Sequence, residues 1–589
     1  MIDRKEINNV LNIFLFVAIL VNTIIFLLIS SIIVYDYDGN GPWRPGVSIV
    51  LGTSSGPFDL DPADCWDKDS QMVIEQAVET LFTYDTRQYI IDETMPLTNW
   101  LATGYSWDIT NTVLTVDIRI GVFFHDGTPM DAAAVAWNFN RFMYLMNHTG
   151  ELPSDGRAVK VHSLYEFPDR TPVFQSVVAA DVDTVVFTLT APYAPILDAM
   201  CYISCGILSP SSTPATEIID LTGDIVGTGP YTYDYYITDT EVVFRKFEGY
   251  WGAGVVEDEI MYDILVYSVI DDPEALNFSM LAGDIDFLFE VDDDLISTFR
   301  TNPWVTVYES DKPGLEYNYI SFNVNQINLT WRKAMSYAIN YSYITEEMLN
   351  KRAFRAYSAI SWGNNAAFNS NLTESNKGSA YYNLTIARQV ILDDLGGDVR
   401  IDPRLQANDS INDPLWSRMN LKSFNFTYIW DHLFAANLYF ILEDWFTDIG
   451  VNMTPQPFAH IMSDSYIIKS YYSQIQIYCT KWSPDYVDPF SILNPLFSNI
   501  SLDNSCQLND KKIQLWLTDA LYEINQTVRY SIYHKVQSRL YTQLYCHAPL
   551  YHNQIIYVHS ADLYDVGYNI MGRWWALPIK RNYTWIPSI

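Results

Sequence analysis

The stretch Ile118–Phe142, IRIGVFFHDGTPMDAAAVAWNFNRF, decides how the chain is to be read. Its opening residues complete an alternation of apolar and polar side chains over Val113–Ile120, the period of a half-buried strand. His125–Pro129 reads as a turn, with Asp126 able to accept from nearby backbone amides. Asp131 stands just ahead of Ala132–Leu145, whose apolar spacing is helical, so it is placed to cap that helix. Strand, turn and capped helix follow one another within one short segment.

The same mixture continues outward. Val47–Leu51 reads as a strand, and Asp67–Tyr84 has helical spacing with Ile74, Ala77, Val78 and Leu81 on one face. Val182–Leu189 alternates again. This pattern predicts an α/β or α+β protein. At 589 residues two or three packed units are expected. Asn369–Ser379 and Arg404–Pro414 are polar and turn-rich and read as surface loops.

Near the N-terminus, Val10–Val34 is a run of 25 residues without a charge. As a helix rising about 1.5 Å per residue it is long enough to cross a hydrocarbon core of about 30 Å. Arg4 and Lys5 precede it and Asp36 and Asp38 follow. The positive-inside rule then leaves residues 1–9 in the cytoplasm and puts the body outside, on a tether at 35–46. A cleavable signal peptide is the rival reading, but the run is long and Leu28–Tyr35 offers no A-x-A-like site. The first cysteine is Cys65, so a lipid-modified N-terminus gains no support.

The body is acidic, with a formal net charge of −35, which would repel a polyanion and argues against nucleic-acid binding. Sequons begin at Asn147, Asn277, Asn328, Asn340, Asn371, Asn383, Asn408, Asn425, Asn452, Asn499, Asn525 and Asn582, all beyond the apolar run. They fit an exposed, glycosylated surface, with simple enrichment in Asn and Thr as the alternative. Acidic surface, retained anchor and sequons together suggest an archaeal cell surface. Six cysteines permit disulfides. Cys201 and Cys205 are near in sequence, as are Cys479 and Cys506, and pairing within each set is the simplest guess.

Signs of catalysis are missing. The chain has no G-x-x-x-x-G-K-[ST], G-x-S-x-G or H-E-x-x-H, and no dense Cys/His cluster. His547 and His552 have a spacing that suits no common metal site and read as structural. The sequence therefore predicts neither an enzyme nor a cofactor.

Five separated stretches, in order, resemble the family 5 extracellular solute-binding proteins, which include oligopeptide, dipeptide and nickel binders. They are Leu60–Asp85; Ile118–Phe142; VGTGPYTYDYY with FEGYWG within Val226–Gly252; Pro273–Phe287 with Tyr319–Ile344; and WSPDYVDPFSIL, Trp482–Leu493. The resemblance covers about residues 48–560 and implies an α/β fold of two lobes joined by a hinge. This is the type II periplasmic-binding-protein, or Venus-flytrap, fold with an additional small domain. On that basis lobe I is expected at 47–80, 190–305 and 530–589, the small domain at 81–189 and lobe II at 306–529.

The resemblance further implies a subunit of an ABC importer, working with permease subunits and separate ATPases and capturing peptides as its lobes close. In peptide-binding relatives the Asp of W-x-x-D meets the ligand's α-ammonium group, a role that falls on Asp485. Trp482 beside it is a candidate pocket wall, and Tyr319, Phe322 and Asn323 lie on a strand whose family counterpart approaches the ligand. For Asp485 the bland alternative is a turn cap beside Pro484, and for Trp482 it is core packing. No carboxylate-binding Arg is identified by motif. An oligosaccharide binder of the same family is the first alternative; a surface sensor or adhesin without transport is the second, and a nickel-chelate carrier the third.

Overall fold

The computed structural model describes residues 48–581 except 86–94, 148–158, 160–163, 256–261, 365, 377, 397–413, 430–432, 459–471, 567–570 and 572–578. The apolar run Val10–Val34 and the tether lie outside the described residues. No helix among the described residues is long and apolar enough to cross a membrane.

The first strand is β1 (Ser48–Thr53), buried from Ile49 onward, and helix α1 (Lys68–Ile74) follows with Asp67 as its cap. The sequence spacing carries a helix on to Tyr84, yet α1 stops at Ile74 and Phe82–Tyr84 is a strand, β2. The carbonyls that would continue the helix are taken by distant amides: Tyr231 N donates to Gln76 O, Gly229 N to Ala77 O and Ile207 N to Glu79 O. Tertiary partners here outcompete helix propagation.

β2 pairs with β3 (Leu97–Asn99). A separate antiparallel sheet has the order β4-β5-β7-β6, formed by Ala102–Trp107, Val113–Ile118, Phe174–Ala179 and Thr184–Leu189 in order of sequence. Over it lies α2 (Ala132–Leu145), where Asp131 accepts from Ala134 N at 2.8 Å as the sequence predicts. Phe139 of α2 meets Phe174 and Phe187 edge-on at 5.4 and 4.8 Å. Arg141, also on α2, is buried against Asp61 and ties this small unit to the segment before α1.

The large sheet reads, from one edge, β15-β14-β16-β12-β17-β11-β1-β10-β9-β8. Its members are β8 (Tyr231–Ile237), β9 (Glu241–Lys246), β10 (Ile264–Val269), β11 (Phe287–Leu288), β12 (Val305–Phe322), β14 (Lys422–Ile429), β15 (Val451–Phe458), β16 (Ile477–Trp482) and β17 (His547–Ser560), with the short β13 (Ala353–Arg355) off the path against β17. Parallel neighbours β1, β10 and β11 make one half, and β14, β15 and β16 the other.

β12 and β17 run through both halves. Val305–Glu309 pairs with the end of β17 near β11, whereas Tyr317–Ser321 pairs with its start beside β16. Register breaks fall between Glu309 and Pro313, Pro313 and Tyr317, and Asn318 and Tyr319. Bulges of this kind bend and twist a strand pair. The boundary expected at 305/306 therefore falls inside one continuous strand.

The C-terminal helices are α3 (Phe490–Phe497), α4 (Lys511–Tyr522) and α5 (Gln526–Arg539). The boundary expected at 529/530 cuts α5. These helices pack against the small unit: Ala194 N donates to Leu521 O at 2.8 Å, and Phe167 stacks on Tyr522 at 5.7 Å. One hydrophobic core joins α2 and its sheet to Leu493, Leu517 and Tyr533.

No disulfide joins Cys201 to Cys205 or Cys479 to Cys506. Cys205 Sγ is spent on Tyr165 OH, Cys201 Sγ on Leu197 O and Cys506 Sγ on Asn504 Oδ1.

Candidate functional site

Two regions gather the motif residues. In the first, the segment after the opening helix, the GTGPY turn and the YWG segment converge on the buried carboxylate of Glu79, and the turn within Ile118–Phe142 packs on the GTGPY turn. Glu79 Oε1 accepts from Trp100 Nε1 at 2.7 Å and Tyr250 OH at 2.8 Å, and Oε2 from Thr228 Oγ1 at 2.7 Å and Trp251 Nε1 at 2.8 Å. Burial raises its pKa above the usual carboxylate range against the pull of these four donors. A Cβ on Gly229 would stand 2.7 Å from the Ala77 carbonyl carbon, so the turn needs glycine for its close approach.

His125 belongs to the same joint. Its N donates to Gly227 O and its Nε2 lies 3.0 Å from Gly229 O, and burial lowers its pKa to about 4. Asp126 holds its turn by accepting from Thr128 N at 2.9 Å and Ser209 Oγ at 2.5 Å, with Gly127 at φ +82°. The arrangement is a fastening: Glu79 and Asp126 are engaged by several donors each, while His125 Nδ1 is buried without a hydrogen-bond partner among the described residues.

The second region begins where β16 ends. Trp482 pairs with Tyr317 of β12, just past the register breaks, and the chain then turns as Ser483–Pro489. Trp482 is half-buried and donates to Ser491 O at 3.2 Å; Asp485 N donates to Ser491 Oγ at 2.7 Å. Asp485 itself is half-buried. Three residues on, Asp488 is buried, paired with Arg529 at 2.8 Å, and accepts from Tyr533 OH at 3.0 Å and Phe490 N at 2.9 Å. Asp488 thus fixes the segment on α5 and leaves Asp485 as its more exposed acid.

The segment also touches the small unit. Val487 N donates to Tyr84 OH at 3.1 Å, and Tyr84 OH to Asp198 Oδ1 at 2.8 Å. Burial, then the charge of Asp488, pushes the Asp198 carboxyl up to about 7. Between Glu166, Phe167 and Arg170 on one side and Tyr486, Phe490 and Asp503 on the other lies a solvent-open cleft of about 130 Å³. Its charged lining is Glu166, paired with Arg170 at 3.8 Å, and Asp503.

Beside the register break of β12, Glu316 accepts from Lys481 Nζ at 3.1 Å and Ser483 Oγ at 3.0 Å. Burial would raise its carboxyl, but the Lys481 charge and bond, with the charge of Lys68 on α1, hold it at about 2. Glu316 and Lys481 had no motif to announce them.

Three residues expected to approach the ligand, Tyr319, Phe322 and Asn323, are enclosed in this structure. Tyr319 is 2% exposed, stacked on His547 at 4.2 Å and on Tyr317 at 4.6 Å. Phe322 is wholly inside the core of the second half, and Asn323 spends its amide on Tyr472 O and Ile475 O, both at 2.9 Å. This end of β12 has strands on both edges and packing on both faces, so it presents no open side. Among the described residues no group of three or more His, Cys, Asp or Glu is placed to hold a metal ion.

The sequon at Asn277 is also corrected. Its side chain is 1% exposed and donates to Pro273 O at 2.9 Å and Glu290 O at 3.0 Å, leaving the amide nitrogen no room for a sugar. Asn328, Asn340, Asn383 and Asn525 each cap a helical segment, which gives those asparagines a structural use of their own. Asn147, Asn371, Asn425, Asn452 and Asn499 are exposed. Asn408 and Asn582 lie outside the described residues.

Two sheet halves linked by shared strands, with a small appended unit, make a two-lobed α/β periplasmic-binding-protein fold. The dipeptide-binding protein from Pseudoalteromonas sp. SM9913 in complex with Met-Leu has this fold, at 18% identity and a TM-score of 0.71, covering 91% of this chain and 100% of that one. NikZ from Campylobacter jejuni in complex with Ni(L-His) has it too, at 20% identity and a TM-score of 0.68, with 90% and 98% covered. Residues 96–503 match the family model for bacterial extracellular solute-binding proteins, family 5 Middle, and the chain belongs to that family. The glutathione-binding protein GsiB of Salmonella paratyphi A (strain ATCC 9150 / SARB42) is 28% identical over 318 residues, 54% of this chain and 55% of that protein. The chain thus spans about half the length of the curated relatives it matches. The family is one of binding proteins rather than enzymes.

Proposed function

We propose that this chain is the extracytoplasmic solute-binding subunit of an ABC importer and that it captures peptides. The observation that carries the reading is the half-buried Asp485, on a segment fixed at the junction of the two halves whose next residue, Tyr486, borders an open cleft. A carboxylate there would meet a peptide's ammonium group with charge-assisted hydrogen bonds. β12 and β17 would serve as the hinge on which the lobes close. Captured ligand would pass to permease subunits driven by separate ATPases. Residues 10–34 would anchor the body at the outer face of the membrane, with exposed sequons carrying glycans, as on an archaeal cell.

The second reading is an oligosaccharide ligand. Thermal-shift screening of the body from about Val47, against peptides, oligosaccharides and nickel chelates, separates these. Ligand that binds only the folded state raises Tm as its concentration passes Kd. A rise with peptides that is lost in Asp485→Ala supports the peptide reading. A rise with oligosaccharides or chelates alone removes it, and no rise with any class favours a surface sensor or adhesin.

A further inference from the structure

Cys506 and Cys546 are brought together by one strand edge. Phe322 N donates to Cys546 O at 2.8 Å, and Val324 N to Cys506 O at 2.9 Å, while Asn323 N between them faces the other way, to Gln476 O. At Tyr545 (φ +48°) the chain leaves the edge of β12, and the loop after α3 takes the vacated place with Cys506. Like-facing amides along an extended chain are about 6.8 Å apart. That brings the two backbones to about the Cα separation of 4.4–6.8 Å that a disulfide spans. Ser505 Oγ donates to Ser321 Oγ at 2.8 Å and seats the loop further. Both cysteines are fully buried; burial and then the neighbouring Cys546 thiol push the Cys506 thiol well up, and Cys506 Sγ also donates to Asn504 Oδ1 at 3.2 Å.

We propose that Cys506 and Cys546 are a disulfide site, oxidised as the chain folds outside the cytoplasm. It rests on the outside location proposed above. The oxidant is a small-molecule or enzyme disulfide. The Cys506 thiolate attacks one of its sulfurs, forming a mixed disulfide and releasing a thiol. The Cys546 thiolate then displaces the second thiol, so two cysteine protons leave with two electrons and two thiols form on the oxidant. Exchange occurs before the loop seats, since both sulfurs are buried afterwards. The bond would pin residues 499–510, which border the cleft through Ile500–Asp503, to the strand β17 that crosses both halves.

The test is thiol mapping of the full-length chain in mild detergent, refolded in a buffer of oxidised and reduced glutathione. Denaturation without reduction, alkylation and peptide mass mapping should show four alkylated cysteines of the six, and one linked peptide pair containing Cys506 and Cys546. Cys506→Ser and Cys546→Ser should each lose that pair, and reduction should lower the wild-type Tm. Six alkylated cysteines, or a linked pair through other cysteines, would overturn the proposal. The mapping needs no ligand, and the wild-type result does not depend on either variant folding. If the refolded chain is linked but chain isolated from cells carries six thiols, the pairing stands and the outside location fails.

Discussion

The joint around Glu79 and the segment around Asp485 are built from the same kinds of residues and end in opposite states. Glu79 has four donors and is enclosed; Asp485 is half-buried, with its backbone amide on Ser491 Oγ, on a segment whose next residue, Tyr486, borders a cleft. The difference teaches that the most recognisable motifs of this chain are fastenings. On the proposed reading, ligand choice would fall instead to a short segment that Asp488 and Arg529 hold in place. Fastening residues should govern stability, and Asp485 should govern binding.

The largest effect should come from Arg529→Met. It leaves Asp488 buried without its cation, and breaking a buried pair costs about 3–5 kcal/mol. Urea unfolding checks this; a loss below about 1 kcal/mol would mean that Asp488 does not need Arg529. Glu79→Gln should come next, at about 2–3 kcal/mol, because the amide puts a donor against four donors already there. Surviving folded protein should bind peptide with unchanged Kd, measured by titration calorimetry. A selective loss of binding would make the joint part of the site and break the comparison.

Asp485→Ala should reverse that pattern. Stability should change by about 0.5 kcal/mol or less, while peptide affinity falls about 10–100-fold, the worth of about 1.5–3 kcal/mol for a charged hydrogen bond. Equal loss of both would return Asp485 to a turn cap.

The smallest effect is a pH dependence. Asp198 has its folded-state pKa raised to about 7, so its contribution is fully present below the unfolded value near 4. That contribution is lost as pH rises through 7. Glu316, held at about 2, acts oppositely: its contribution is present above the unfolded value near 4 and lost as pH falls through 2. Asp198→Asn should therefore flatten the decline in Tm between about pH 5 and 8 and leave the acid limb untouched. A decline that persists in the variant would assign it to another group.

What the sequence determined was local. Asp131 and the helical spacing behind it placed α2 at Ala132–Leu145, and alternation located β5 and β7. A cap and a period need only near neighbours, so they can be read without the fold. What only the tertiary structure decided was where long-range partners compete. α1 stops early because amides from residues 207, 229 and 231 take the carbonyls beyond it. Alternation could not show that Phe322 and Asn323 are enclosed, since β12 is covered on both faces. Nor could spacing choose between Asp485 and Asp488, or bring Cys506 to Cys546 rather than Cys479. Those outcomes depend on which buried group finds its counter-charge or strand edge, and these lie far away along the chain.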